Sequence, residues 1–531
     1  MAPPDDLLPR FDDDGCLIGH DGARHPKLTW RSSLERKLIF STRFPARART
    51  ISAAFERWLT KDRTSDAERA DLAAWVIDAA PYLGSGGIDH AAELVSRFPA
   101  LASFAAREAA ALAGFLAEVA DPPSRAADPP LPPRRRVAVL FSELGGGTGT
   151  VAEAIVELLR ETPDLEPIPL SIHADVQGSD SPFRRVFGIT EADAWNRALD
   201  EGIERGGLER IRKARAALRR CFLPDAVEAT ARLVAESGAH HVLCTLPAYP
   251  QLAQLATVRR PLTLLHADFG VNATLSGEDD GEAPPLHRLL DPDRVTIGLA
   301  SSDPEPPLDA MRASLGARFD RLVRVIGYPV RRAFSRPAKG AELDRLRADL
   351  GVSADERVVL LMMGRSGMGD RLIHLARALF DRPPEAAPRL HVVAVCGGSE
   401  RSRRALEDAR ARAPSAARVR VTGMLRAEEI AGYMHLAAAP GPARGGVVVT
   451  KPGGATTGEC AEAGAFMLLF PGLPWEEKNR RFAVSRGLGE DCSEEGFGAA
   501  LARCLAEPPT PYSPPLDWRA RLLSHLRGFP P

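Results

Sequence analysis

Downstream of residue 136 the chain repeats one pattern: a short apolar run of four to six residues, then a longer stretch with apolar positions three to four apart. Runs of the first kind read as buried parallel strands and stretches of the second as covering helices, which together signal consecutive β-α-β units. The pattern predicts strands at 137–142, 168–172, 241–246, 262–266 and 322–326, with helices at 151–160 and 226–236. Ser335-Arg336-Pro337-Ala338-Lys339-Gly340 interrupts it, and a second series of strands follows at 358–363, 391–396, 419–422, 447–450 and 466–470. Upstream, Leu72, Trp75 and Val76, and then Leu101, Ala105, Leu112 and Phe115, recur at helical intervals. Residues 1–120 therefore predict a small helical domain. Between it and the α/β region, residues 121–136 hold six prolines and end in Arg134-Arg135-Arg136, the composition of a semi-rigid linker. The expected organisation is a helical domain at 1–120, a linker at 121–136, and two α/β domains at 137–335 and 336–531.

The bulk numbers fit that picture. At 531 residues the chain is long enough for several cores, and 44% hydrophobic against 26% charged residues is ordinary for folded globular protein. With 69 Lys+Arg balancing 70 Asp+Glu, the net charge is -1, which argues against a dedicated nucleic-acid binder. Seven cysteines are widely spaced, with no C-x-x-C pair, so neither a disulfide framework nor a zinc site is encoded and a reducing compartment is expected. His240-His241 lacks a third ligand at metal spacing and reads as structural. The first ten residues lack a signal pattern, and no run of about 18 apolar residues occurs, so the expected location is cytoplasmic. Residues 27–49 set seven basic residues, Lys27 and Arg49 at the ends, against Glu35, interleaved with Trp30, Leu34, Ile39 and Phe40. That mix suits peripheral contact with an anionic membrane face, or a packed helix with a solvated basic side.

In tandem α/β domains the ligand site lies at the carboxyl ends of the strands, and three of those turns are glycine-rich. The first, Ser142-Glu143-Leu144-Gly145-Gly146-Gly147-Thr148, follows a strand and opens a helix, which lets backbone N–H groups approach an anion. Its Gly147-x-Gly149-x-x-Ala152 also matches a dinucleotide pattern, displaced several residues from the strand, and a simple tight turn is a further reading. The second runs from Gly364 through Gly367 to Gly369. The third, Lys451-Pro452-Gly453-Gly454-Ala455-Thr456-Thr457-Gly458-Glu459, puts glycines and a hydroxyl at a helix N-terminus and a carboxylate one turn in. That is the spacing for a diphosphate and a ribose diol.

These pieces resemble the GT-B glycosyltransferases, in the branch of monogalactosyldiacylglycerol synthases, processive diacylglycerol glycosyltransferases and the transferase that adds N-acetylglucosamine to lipid I, over about residues 136–490. Seven segments match in order: 142–147 with the following helix, Val325-Ile326-Gly327-Tyr328-Pro329-Val330-Arg331, 364–369, Val395-Cys396-Gly397, Val421-Thr422-Gly423-Met424-Leu425, 450–459, and Glu476-Glu477-Lys478-Asn479. The resemblance implies two Rossmann-like domains facing across a cleft. It places a UDP-sugar in the second, with uracil near Met424 and Leu425, diphosphate near Gly364, Gly367, Gly454, Ala455 and Thr456, ribose on Glu459, and Asn479 nearby. The first domain would take a lipid acceptor, with Gly145, Gly146 and Gly147 as its phosphate or acceptor loop. No metal and no cofactor beyond the donor substrate is implied.

Three positions depart from the family. Thr148 stands where a histidine is expected, Trp475 where relatives carry a glutamine, and Leu246 where a His-Pro pair is expected. Threonine has no useful basicity near neutral pH, so the base passes to Asp268 in His266-Ala267-Asp268-Phe269, or to Glu143. The turn after residue 265 decides whether His266, Asp268 or both face the cleft. The expected activity is metal-independent, inverting transfer of a hexosyl unit to a diacylglycerol- or polyprenyl-type acceptor. The alternatives are a nucleotide-sugar-binding protein without catalysis and a GT-B nucleotide-sugar epimerase.

Overall fold

The computed structural model describes residues 10–13, 17–25, 134–142, 146–177, 182–190, 194, 230, 233–245, 260–271, 295–303, 306–335, 338–364, 370–381, 388–412, 418–440, 444–507 and 516–528. The helical periodicities at Leu72–Val76 and Leu101–Phe115, most of the linker and the basic stretch 27–49 lie outside the described residues. Before the linker, the described residues form a small antiparallel sheet of three two-residue strands, Arg10–Phe11, Leu17–Ile18 and Arg24–His25.

Two six-stranded parallel sheets follow. The first contains β1 (Arg135–Phe141), β2 (Leu165–Ser171), β3 (His241–Cys244), β4 (Leu262–Leu265), β5 (Val295–Leu299) and β6 (Val323–Val325), in the order 2-1-3-4-5-6. The second contains β7 (Glu356–Met362), β8 (Arg389–Val395), β9 (Arg418–Thr422), β10 (Gly446–Thr450), β11 (Met467–Leu469) and β12 (Gly489–Asp491). Its order, 9-8-7-10-11-12, is the 3-2-1-4-5-6 winding of a Rossmann sheet. The central strands are continuous apolar runs because helices cover both faces: Val358, Val359, Leu360 and Leu361 are all fully buried. The expected pair of Rossmann-like domains is therefore present, and each expected strand forms, with ends shifted by one to three residues. β5 and β12 are additional.

Four helices bear on the site: α1 (Gly147–Glu161), α2 (Gly454–Ala463), α3 (Glu477–Ser485) and α4 (Trp518–Arg527). Sequence order puts α4 with the second domain, yet it packs on the first. Arg135 donates to the Leu526 carbonyl, Arg519 to that of Val330 and Arg521 to that of Val325. Gly327 makes this return possible, since its φ of 98° is left-handed and a Cβ there would lie 2.8 Å from Trp518 Cβ.

Candidate functional site at the domain junction

Both sheets change winding direction between their first strand and the strand placed on its other side, and the turns at those switch points are two of the three glycine-rich segments together with Gly364. In the second domain β7 ends before Gly364, whose φ is 86°, and β10 ends before Lys451 and the start of α2. α2 begins from Gly453 in extended conformation with no side-chain cap, so no side chain at the helix start satisfies its first N–H groups. Lys451 reaches between the two turns: its Cε is 3.0 Å from where a Cβ on Gly364 would sit, and its ammonium is paired with buried Glu476. Lys451 is a site residue that the turn pattern contained without marking, because its position is fixed only when β7 and β10 lie side by side.

Glu459 is buried one turn into α2, as its spacing required. Arg331 at the interdomain crossing donates to Oε1 twice, from Nε at 3.0 Å and from Nη2 at 2.6 Å, and it also meets Glu153 of α1 at 3.3 Å. Burial lifts the Glu459 carboxyl to about 7 against the pull of the guanidinium. Arg332 continues the contact, its backbone N–H donating to Glu157 and its side chain to Glu161 at 2.5 Å. One face of α1 is thereby tied to the crossing segment.

In the first domain β4 ends at Leu265 and the following turn sends His266 and Asp268 in different directions. His266 points into the core, 2% exposed, where burial lowers it to about 3 and keeps it neutral. Asp268 instead faces the junction. Its Oδ1 accepts from Asn479 Nδ2 at 2.8 Å, and the same amide donates to the Pro452 carbonyl at 3.0 Å while its oxygen accepts from the Phe269 N–H at 2.8 Å. Asn479 of α3 thus joins both domains. Burial raises Asp268 to about 7, with Glu476 adding to the rise and Asn479, Lys451 and Lys478 opposing it.

The turn 266–269 lies directly on the start of α2. A Cβ on Gly454 would fall onto the Ala267 carbonyl oxygen and come within 2.9 Å of Asp268 Oδ1 and of the Tyr328 hydroxyl, so glycine is required for the approach. Tyr328 donates to the Ala267 carbonyl at 3.0 Å. Phe269 is stacked between Tyr328 and Phe482, with ring centroids 4.6 and 3.9 Å apart.

Thr148 stands at the start of α1 after Gly146, which has a φ of 83°. Its hydroxyl donates to the Ser142 carbonyl at 2.6 Å, and its own carbonyl accepts from Thr245 at 3.0 Å. Those bonds fix the loop end rather than presenting a base. Met424 is exposed and Leu425 buried, just after edge strand β9. That edge is two strands from β7, about 10 Å away. Glu143, Gly145 and Gly367 lie outside the described residues.

No protein-family model matches the chain. It is 28% identical over 166 residues to the processive diacylglycerol beta-glucosyltransferase of Bacillus licheniformis, covering 31% of this chain and 38% of the relative. It is 29% identical over 184 residues to a probable chloroplastic monogalactosyldiacylglycerol synthase 2 of Oryza sativa subsp. indica, covering 34% and 36%. The chain spans little more than a third of the length of these curated relatives. Among solved structures it resembles MurG of Acinetobacter baumannii, at 14% identity, TM-score 0.45, and coverage of 74% of this chain and 100% of that one. It also resembles a UDP-GlcNAc 2-epimerase of Neisseria meningitidis, at 12% identity, TM-score 0.45, and coverage of 74% and 100%. The similarity to diacylglycerol glycosyltransferases that the motifs carried is therefore present in the curated sequences.

Proposed function

We propose that the chain is a UDP-sugar-dependent hexosyltransferase with a lipid hydroxyl as acceptor. The observation that carries this reading is α2: an uncapped glycine helix start at a Rossmann switch point, with a buried carboxylate one turn in, as a nucleoside diphosphate requires. Both Arg331 contacts fall on Oε1 of Glu459, which leaves Oε2 for a ribose hydroxyl. Sequence similarity to two lipid glycosyltransferases supports the acceptor class.

In the proposed reaction Asp268 removes the acceptor hydroxyl proton through Oδ2, the oxygen that Asn479 leaves open. The acceptor oxygen then bonds to the anomeric carbon as the bond from that carbon to the UDP oxygen breaks. Inversion follows from the single displacement, the proton stays on Asp268, and the electron pair leaves with UDP beside the α2 dipole and Lys451. A carboxyl held near 7 suits this role at neutral pH. Since 266–269 covers the α2 start, donor entry requires the domains to part and reclose, which also excludes water from the sugar.

The lipid acceptor implies work at a membrane surface from the cytoplasmic side, with residues 27–49 as the contact; no helix among the described residues is long and apolar enough to cross a membrane. The Thr148 hydroxyl bond to Ser142 favours a second reading, a nucleotide-sugar binder without transfer. Isothermal titration with UDP tests the site: Glu459→Ala is expected to abolish binding, and retained affinity rejects it. Transfer of labelled hexose to diacylglycerol then separates the enzyme from the binder.

A further inference from the structure

A cavity of about 170 Å³ at the junction takes its walls from both domains: Phe269 after β4 and Ser301 after β5 on one side, Glu462 of α2 and Phe482 of α3 on the other. Tyr328 of the crossing segment and Leu516, just before α4, also line it, so both passages of the chain between the domains border it. An apolar cavity of about 150 Å³ holds a benzene-sized molecule, and this one offers similar room between aromatic and aliphatic walls. Glu462 is the one carboxylate among the described lining residues, and Arg486 the one cation. Arg486 is already engaged, with Nη2 2.7 Å from Asp303 Oδ1 and its guanidinium 5.6 Å over the Phe482 ring. Glu462 is buried, and among the described residues Arg519 attracts it and Asp517 repels it through charge, with no hydrogen bond to either. Arg519 donates to the Val330 carbonyl instead. Asp303, Glu462 and Asp517 thus outnumber Arg486 and Arg519 by one negative charge around this space. A charged donor carried on an apolar body would satisfy the carboxylate and the walls together.

We propose that this cavity binds a small organic amine, its ammonium on the Glu462 carboxylate and its apolar body against Phe482 and Leu516. Because the walls belong to both domains, a bound amine favours the closed junction over the parted one. The inference does not depend on the nucleotide-sugar reading.

Calorimetric titration of the full chain at about pH 8 with benzylamine, benzyl alcohol and benzoate tests it. Benzylamine is expected to bind, benzyl alcohol about tenfold more weakly, and benzoate not at all. The carboxyl holds its proton up to about 7 and must release it to the ammonium, so the benzylamine affinity should fall about tenfold between about pH 8 and about pH 6. Glu462→Gln should bring benzylamine down to the level of benzyl alcohol while leaving UDP binding as it was. Ala461→Leu, which fills part of the same cavity, should lose both ligands. Hydrogen exchange at 266–271 and 458–462 should slow when benzylamine is bound. A benzylamine response in a chain that ignores UDP leaves this site standing and removes the proposed donor site. No binding of benzylamine, equal binding of benzoate, an unchanged affinity in Glu462→Gln, or protection only at other segments overturns the proposal.

Discussion

Glu462 illustrates how burial alone sets a pH response. It lies one turn beyond Glu459, beside a cavity of about 170 Å³ lined by Ser301, Tyr328, Phe482 and Arg486, and burial pushes its carboxyl up to about 7. The unfolded carboxyl titrates at the ordinary value of 4.5, so between 4.5 and about 7 the folded chain keeps a proton that the unfolded chain has lost. Its contribution to stability therefore falls as pH rises through that window. Glu462→Gln removes the titration. Calorimetry should find the variant more stable than the native chain at about pH 8 and nearly equal at about pH 5; an equal difference at both would locate the effect in packing. Arg331 gives the complementary case. Arg331→Met leaves Glu459 buried without its partner, a loss of about 3–5 kcal/mol where the carboxylate must stay charged. Because Glu459 can take a proton at about 7, the drop in urea midpoint should be larger at about pH 8 than at about pH 5. A loss independent of pH would mean that the pair acts through shape alone.

At the scale of elements, α4 closes the first domain through a chain of three side chains. Thr263 Oγ1 lies 2.8 Å from both His241 Nε2 and His525 Nε2, and the rings are edge-on at 6.1 Å. Burial lowers His241 to about 3 and His525 to about 4, so both are neutral when α4 is docked. Once α4 is released His525 titrates near its ordinary 6.5. Docking is therefore fully stable above about 6.5 and weakens as pH falls toward 4. Hydrogen exchange across 518–527 should rise on acidification ahead of β7 and β10, and His525→Gln should blunt the rise. Simultaneous loss of protection in both sheets would instead mark global acid unfolding.

The return of α4 also marks what the chain could announce about itself. Strand β7 was legible because it is an unbroken apolar run, as a strand covered on both faces must be. β5 was not: Gly298 interrupts its run, and only the folded neighbours explain it, since a Cβ there would press within 2.8 Å of Ile326 Cδ1. β12, Gly489–Asp491, is a short polar edge with no apolar signal to find. The same division holds in the site. Gly454 and Glu459 sit within one turn of each other and could be read together. The Asn479–Asp268 bond joins residues 211 apart and Arg331–Glu459 joins residues 128 apart, pairings that only the packing of two domains creates.

At the scale of the whole molecule, the closed junction rests on few groups. Asn479 supplies two hydrogen bonds across it, to Asp268 and from the Phe269 N–H, with a third to Pro452 on its own side, and Phe269 is stacked between Tyr328 of its own domain and Phe482 of the other. Asn479→Ala leaves the Asp268 carboxyl, the Phe269 N–H and the Pro452 carbonyl without that partner, and each buried group so orphaned costs about 1–3 kcal/mol unless water reaches it. Parting the domains lets water reach all three at once; each sheet keeps a core of its own on one face, and the cost is exposure of the apolar cluster shared across the junction, where Phe269 and Tyr328 meet Cys460 and Ala483. The expected result is a larger radius of gyration in small-angle scattering. Hydrogen exchange should quicken at 266–271 and 452–458, while β7, β8 and β10 keep native protection. Phe269→Ala should do the same through lost packing of about 3–5 kcal/mol. If either variant stays compact while β7 and β10 lose protection, the substituted group supports its own domain rather than the junction. Closure that needs these contacts and shields the α2 start also predicts a kinetic sign: UDP should enter the Asn479→Ala protein faster than the native one and leave it faster still.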